Sequence, residues 1–226
     1  MTPRTGTPTL TVLTALGTVP DEGHRRKRLA KLQRPNETVG YDNATYHHIR
    51  PVAVDTLDEL ADLLETLSGD PHSALILETP DPAVPNPEGY RRKEYFDPVR
   101  HWLALDIDDA EAPPGVDPIS PEAVDHILKQ VPKELRGVPC LPQFTGSAGL
   151  KGNLVRMRVW FRLDTPMETA RLRLWARAHN AQPRALQIDE RLYSRVQLHY
   201  TADPIFEGTR NPFEGRSRLC SIREPA

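Results

Sequence analysis

Two aspartates, Asp106 and Asp108, close the run WLALDIDD over residues 102–109. Residues i and i+2 of a strand point to the same side. A strand here therefore presents both carboxylates on one face. Side-by-side carboxylates suit a hard divalent cation, Mg²⁺ or Mn²⁺, which takes oxygen ligands. Asp109 points the other way. Leu103, Ala104, Leu105 and Ile107 mark the strand as buried, where a carboxylate pair needs compensation. A solvated acidic strand end is the plain alternative. A bare DxD is common: glycosyltransferases and haloacid-dehalogenase-like phosphatases use one too, although the phosphatase reading wants a Thr- or Val-type residue where Asp109 stands.

Three further stretches carry chemistry-bearing side chains. QFTGSAGLKGN (143–153) is rich in small residues. Gly146, Ser147 and Gly149 there would let backbone N–H groups approach a phosphate, or would simply make a hairpin loop. LVRMRVWFRLD (154–164) alternates. Its arginines, Arg156, Arg158 and Arg162, share one face, and Val155, Met157, Val159 and Phe161 share the other. Arginines beside a carboxylate-bearing strand suit triphosphate neutralisation; an exposed sheet face would read the same way. The stretch from Asp189 to Arg216 supplies Asp189, a possible third carboxylate, with His199, Arg210 and Arg216. A lone histidine on an apolar stretch is more often structural. The adjacent His47 and His48 face opposite ways on a strand and do not form the His-x-His pair of a nickase.

Positioning these groups requires alternating strands and helices. Residues 9–16 read as a strand, 38–54 as extended segments with a turn at Asp42-Asn43, and 74–78 and 102–107 as buried strands. Thr56 and Glu59 form a capping box for a helix to Leu67, with Leu57, Leu60, Leu63, Leu64 and Leu67 on one face and Gly69 closing it. Ser120-Pro121 opens a second helix running to about Gln130. Residues 139–145, 154–163 and 194–201 read as strands and 166–179 as a helix. The class is α/β or α+β, and no linker forces a domain boundary within residues 1–226.

The chain has 226 residues, 38% of them hydrophobic, enough for a sizeable core. The 23 prolines fit many defined loops. No apolar run approaches the roughly 20 residues that span a bilayer, and no signal peptide is evident. Two distant cysteines, Cys140 and Cys220, exclude a disulfide framework or a cysteine-rich zinc site. The expected compartment is cytoplasmic. Net charge is -2, but it is segregated. Residues 51–120 are strongly acidic and residues 150–226 basic, so the two could face each other across a cleft holding metal and phosphates, or be solvated faces of opposite sign. The densest basic run is His24-Arg25-Arg26-Lys27-Arg28 with Lys31 and Arg34; Arg91-Arg92-Lys93 is a second.

Together, WLALDIDD, GSAG (146–149), VRMRVWFRLDTP (155–166), IDERLYSRVQLHYTADPIFEG (188–208) and NPFEGR (211–216) resemble the archaeo-eukaryotic primase superfamily, specifically primase-polymerase domains of phages and plasmids. The resemblance runs from about Thr9 to Leu219. The superfamily pattern is an hhhDhD strand, an SxH-type strand and a later hD. Carried over, Asp106 and Asp108 fill the first motif and Asp189 the third. Arg158 stands where relatives place a histidine that contacts the incoming nucleotide's phosphates, and Ser147 falls in the small-residue part. The resemblance implies one catalytic domain, an α/β unit (about 1–100) packed on an RRM-like unit (about 101–226) with the active site between. It implies metal-dependent, template-directed nucleotidyl transfer, as primer synthesis, primer extension or both, on a single-stranded DNA template and primer, using dNTPs or NTPs. Asp106, Asp108 and Asp189 would hold two Mg²⁺ or Mn²⁺ ions. Ser147, Arg156, Arg158, His199 and Arg210 would grip the nucleotide, and Arg25, Arg26, Lys27, Arg28, Arg91 and Arg92 the template. Without a GxxxxGK[ST] motif, a separate replicative helicase is an expected partner. The alternative is a catalytically weak or inactive DNA-binding relative, with Arg158 as its mark.

Overall fold

The computed structural model describes residues 8–17 and 27–224. In chain order these form β1 (Thr9–Gly17), β2 (Leu32–Arg34), β3 (Glu37–Val39), β4 (Tyr46–Ala53), α1 (Leu57–Ser68), β5 (Ser73–Ile76), β6 (Val99–Glu111), α2 (Pro121–Leu128), β7 (Cys140–Phe144), β8 (Leu154–Glu168), α3 (Thr169–Asn180) and β9 (Ile205–Phe206), with short 3-10 turns between. The fold is mixed α/β. The strands make three small sheets, ordered β4-β1-β5, β3-β2-β9 and β6-β8-β7. All pairs are antiparallel except β2 with β9. Among the described residues no helix is long and apolar enough to cross a membrane.

The alternation in β6 and β8 splits their side chains between two cores. Leu103, Leu105, Ile107, Val155, Met157, Val159 and Phe161 pack with Val124 and Ile127 of α2 and Leu172 and Ala176 of α3. Trp102, Ala104 and Trp160, on the other face, pack with Leu10, Val12, Leu75 and the leucine face of α1. That second core joins residues on both sides of position 100. The chain also doubles back: β9 pairs with β2, and His199 bridges Leu75. The outer edge of β7 is covered by the C-terminal segment, with Leu219 opposite Gln143 and Arg223 opposite Cys140.

Most expected elements are present. In α1, Thr56 Oγ1 accepts from the Glu59 N–H (3.2 Å), Glu59 Oε2 accepts from the Thr56 N–H (3.3 Å), and Gly69 caps the end. Two expectations are corrected. The helix expected from Pro166 starts at Thr169, because β8 pairs with β6 as far as Glu168. Pro166 falls where the register shifts between Arg100 and Trp102, and a bulge tolerates a residue without an N–H. The strand expected at 194–201 is reduced to the single bridge at His199. Val196 has φ 53°, which breaks the extended run.

A buried ion pair holds Val196 in that left-handed conformation, which is costly for a β-branched residue. The Arg100 guanidinium donates to Glu78 Oε1 (2.7 and 3.2 Å) and to the carbonyls of Leu192 and Ser194 (both 2.8 Å). Glu78 Oε1 also accepts the Val196 N–H at 3.0 Å. Both side chains are wholly buried. Removing one partner of such a pair strands the other's charge. Glu78→Gln is therefore expected to destabilise the fold by about 3–5 kcal/mol in urea denaturation. Glu78→Leu combined with Arg100→Met should cost less, and an equal or larger loss would refute this account.

Candidate functional site

Beyond Trp102 and Ala104, the same face of β6 continues into Asp106 and Asp108. Beside them on β8 stand Arg158 and Arg156. Register pairs Asp106 with Arg158 directly, and Arg158 with Gln143 on β7. A register shift between Ile107 and Ala110 ends the regular ladder beside Asp108. The acidic middle and the basic C-terminal third thus meet side by side on adjacent strands of one sheet. Arg158 approaches Asp106 at 3.3 Å, with side chains only 8% and 14% exposed. Arg156 Nε donates to Asp108 Oδ1 at 2.9 Å, in the more open part of the face. Arg162, further along that face, pairs with Asp55 at 3.1 Å.

Asp189 arrives from another direction. Its backbone N–H donates to the Asp106 carbonyl at 3.1 Å, along the edge of β6 away from β8. Its exposed carboxylate caps a 3-10 turn, accepting the Arg191 N–H at 2.9 Å. Burial raises the Asp106 carboxyl above the ordinary carboxylate range; Arg158 opposes this, while the charges of Asp108 and Asp189 add to it. Asp106 Oδ1 is buried and accepts no hydrogen bond. The donors are all hard oxygens, which fits a divalent metal in kind. Among the described residues, however, no three His, Cys, Asp or Glu side chains converge closely enough to hold one as they stand.

Other expected site residues divide clearly. Ser147 lies in the β7–β8 loop, its Oγ buried without a hydrogen-bond partner. His199 is fully buried, its ring centroid 5.4 Å from that of Trp160. Burial, and then the charges of Arg158 and Arg100, hold it neutral, its pKa well below the ordinary histidine value. It supports the floor of the site and does not line its surface. Arg210 is exposed. Arg25 and Arg26 lie outside the described residues. Lys27 is partly buried. Arg28 braces its own loop, donating to Gly40 O at 2.8 Å and pairing with Asp42 at 3.5 Å. Arg91 is half-buried and donates to Val196 O at 2.7 Å, while Arg92 lies exposed over the Tyr90 ring at 4.7 Å.

Two residues join the site without a motif of their own. Burial, and secondly the Arg156 charge, lower the pKa of Lys31, while Asp108 and Asp106 raise it. Tyr41 feels Arg158 and Asp106, and burial pushes its phenol up to about 12. Its ring stacks on Tyr200 with centroids 3.4 Å apart, and Lys31 Nζ lies 5.9 Å from its centroid. Lys31 was visible only as part of a basic run. Nothing in the pattern around Tyr41 marked it.

No family model matches the chain, and no curated protein does. Among solved structures it is similar to the polymerase domain of Mycobacterium tuberculosis ligase D in complex with DNA. Identity is 14%, covering 85% of this chain and 67% of that one, with a TM-score of 0.35. A likeness this loose carries no inference about activity, which rests on the geometry above.

The raised Asp106 pKa makes its ionised form a cost to the fold at neutral pH. Stability contributed by the neutral form is lost as pH rises from the ordinary Asp value of about 3.9 through the raised one. Asp106→Asn is expected to raise the melting temperature at neutral pH. The gain should disappear below about pH 3.9, where both folded and unfolded carboxyls are protonated. A gain of equal size at both ends of the pH range would contradict the burial account.

Proposed function

We propose that this chain is a primase-polymerase-like nucleotidyltransferase that synthesises a primer, extends one, or does both on a single-stranded DNA template in phage or plasmid replication. The observation that carries the reading is the meeting of Asp106, Asp108 and the Asp189 backbone at one sheet end, flanked by Arg156, Arg158 and Lys31. Charged oxygens and guanidinium groups in that combination suit a triphosphate and a divalent cation together.

Asp106, Asp108 and Asp189, which do not converge closely enough as they stand, would hold Mg²⁺ or Mn²⁺ once their carboxylates draw together. Bound there, the metal would lower the pKa of a primer 3′-hydroxyl and offset charge on the transferring phosphates. The chain's own residues supply the rest. Arg156 and Arg158 would exchange their carboxylate partners for phosphate oxygens of a dNTP or NTP, as planar two-donor groups do readily. Lys31 would add a third positive charge from the β2 side. Neutral His199 and Trp160 would keep Arg158 extended toward the carboxylates. Ser147, with its unpartnered hydroxyl, would donate to a phosphate from the β7–β8 loop. The strand-helix-strand-strand-helix order from β6 to α3 supports reading it as an RRM-like unit lacking that unit's last strand, and β1, β4, β5 and α1 would form the α/β unit packed on it. The shared core makes the two one domain in this reading.

One observation favours a second reading. Asp106 and Asp108 each already have an arginine partner, so the site is close to neutral without metal. A primase-like protein that binds DNA but polymerises weakly or not at all would look like this. The test is a primed and an unprimed single-stranded template with labelled dNTPs or NTPs and Mg²⁺ or Mn²⁺. Product that vanishes in Asp106→Ala and Asp108→Ala, and falls by roughly 10²–10³ in Arg158→Ala, supports nucleotidyl transfer. Absence of product under every metal and nucleotide, with DNA binding intact, supports the second reading.

A further inference from the structure

The α2 and α3 helices cover the face of the sheet opposite the aspartates. Where both helices end, the loops after them enclose a cleft of about 440 Å³. Lys129, Lys133 and Arg136 line it from the α2 side and Arg184 from the α3 side; Glu134 is the one carboxylate in its lining. All four cations are exposed. Among the described residues none of the four is ion-paired. On the aspartate face, by contrast, Arg156 and Arg158 each have a carboxylate partner. Both helix C-termini point negative dipole ends toward this region, which offsets part of the positive charge, and Arg136 Nε donates to the Val131 carbonyl at 3.4 Å. Arg184 is also held at φ 60°, a left-handed conformation that non-glycine residues adopt at a cost.

We infer that this cleft is a second phosphate-binding site, separate from the aspartate face, that takes the backbone of a single-stranded nucleic acid. Four unpaired cations on two loops exceed what one phosphate needs and match successive phosphodiesters. The cleft is of a size to hold about one nucleotide. The proline rings of Pro132 and Pro183 form an apolar wall, and Gln130 and Gln182 offer amides without adding charge. Nothing in this inference depends on nucleotidyl transfer. A strand seated here would run on the helix side of the sheet, and the chain linking Arg184 to Asp189 passes from this cleft to the aspartates.

The same phosphate chemistry has two sources, a nucleic-acid strand or a free nucleotide, and the experiment separates them. The full chain, in EDTA, is titrated against a fluorescein-labelled, mixed-sequence single-stranded DNA oligonucleotide by anisotropy over a salt series, and against AMP by calorimetry. Lys133→Glu combined with Arg184→Glu is expected to weaken DNA binding by about tenfold or more and to lower the salt slope by about two. Lys133→Arg with Arg184→Lys should keep both. Lys129→Gln with Arg136→Gln gives a milder second variant that should move affinity and slope the same way, should the charge reversal melt differently from wild type. A lost AMP signal with unchanged DNA affinity assigns the site to a free nucleotide and overturns the nucleic-acid assignment. Affinity, slope and AMP heat all unchanged in both variants overturn the site. Because metal is absent throughout, either failure leaves metal-dependent polymerisation to be judged separately.

Discussion

The pairing of β6 with β8 sets which side chains meet on either side of the largest sheet. Strand side chains alternate, so a slip of one residue would exchange the two faces entirely. In the observed register, seven apolar side chains turn toward α2 and α3, and Asp106 stands opposite Arg158. The apolar face makes any slip costly because it would bring charges into the helix-covered core. Packing on one side thus fixes the charge pattern on the other. The two register shifts confine this order to the middle of the strands and release it near Asp108 and near Pro166.

The ion pairs on that face have unequal surroundings. Arg158 and Asp106 are almost covered, so their attraction is little screened and desolvation opposes it. Arg156 and Asp108 sit where solvent reaches, and their pairing is correspondingly exchangeable. An incoming anion would meet Arg156 first. Arginine is a permanent cation at physiological pH. A histidine in the same place would titrate. That difference gives the site a fixed positive component beside an aspartate whose own ionisation is costly.

Periodic features were legible in the sequence and non-local ones were not. The α1 capping box, the leucine face and the opposed faces of LVRMRVWFRL each follow from spacing within a dozen residues. The placement of Asp106 and Asp108 on one side, beside arginines, follows from the same rule. Lys31 and Tyr41 could not be found that way. They reach the site because β2 pairs with β9, and because Tyr41 stacks on Tyr200, both contacts between distant parts of the chain. His199 was visible as a residue but not as a buried one; its position depends on a bridge to Leu75. The failed strand at 194–201 has its cause 118 positions away, in the Glu78 carboxylate that holds the Val196 N–H.

The segment beyond Arg218 that lies along β7 has a bearing on how the molecule can be handled. All five residues of β7 are buried. Its outer backbone groups bond to Arg218, Cys220 and Arg223 at 2.7–2.9 Å. That segment is a strip sealing an edge that would otherwise offer unpaired N–H and C=O groups to another chain. Cutting the chain before Arg218 would unseal an apolar strand and invite self-association.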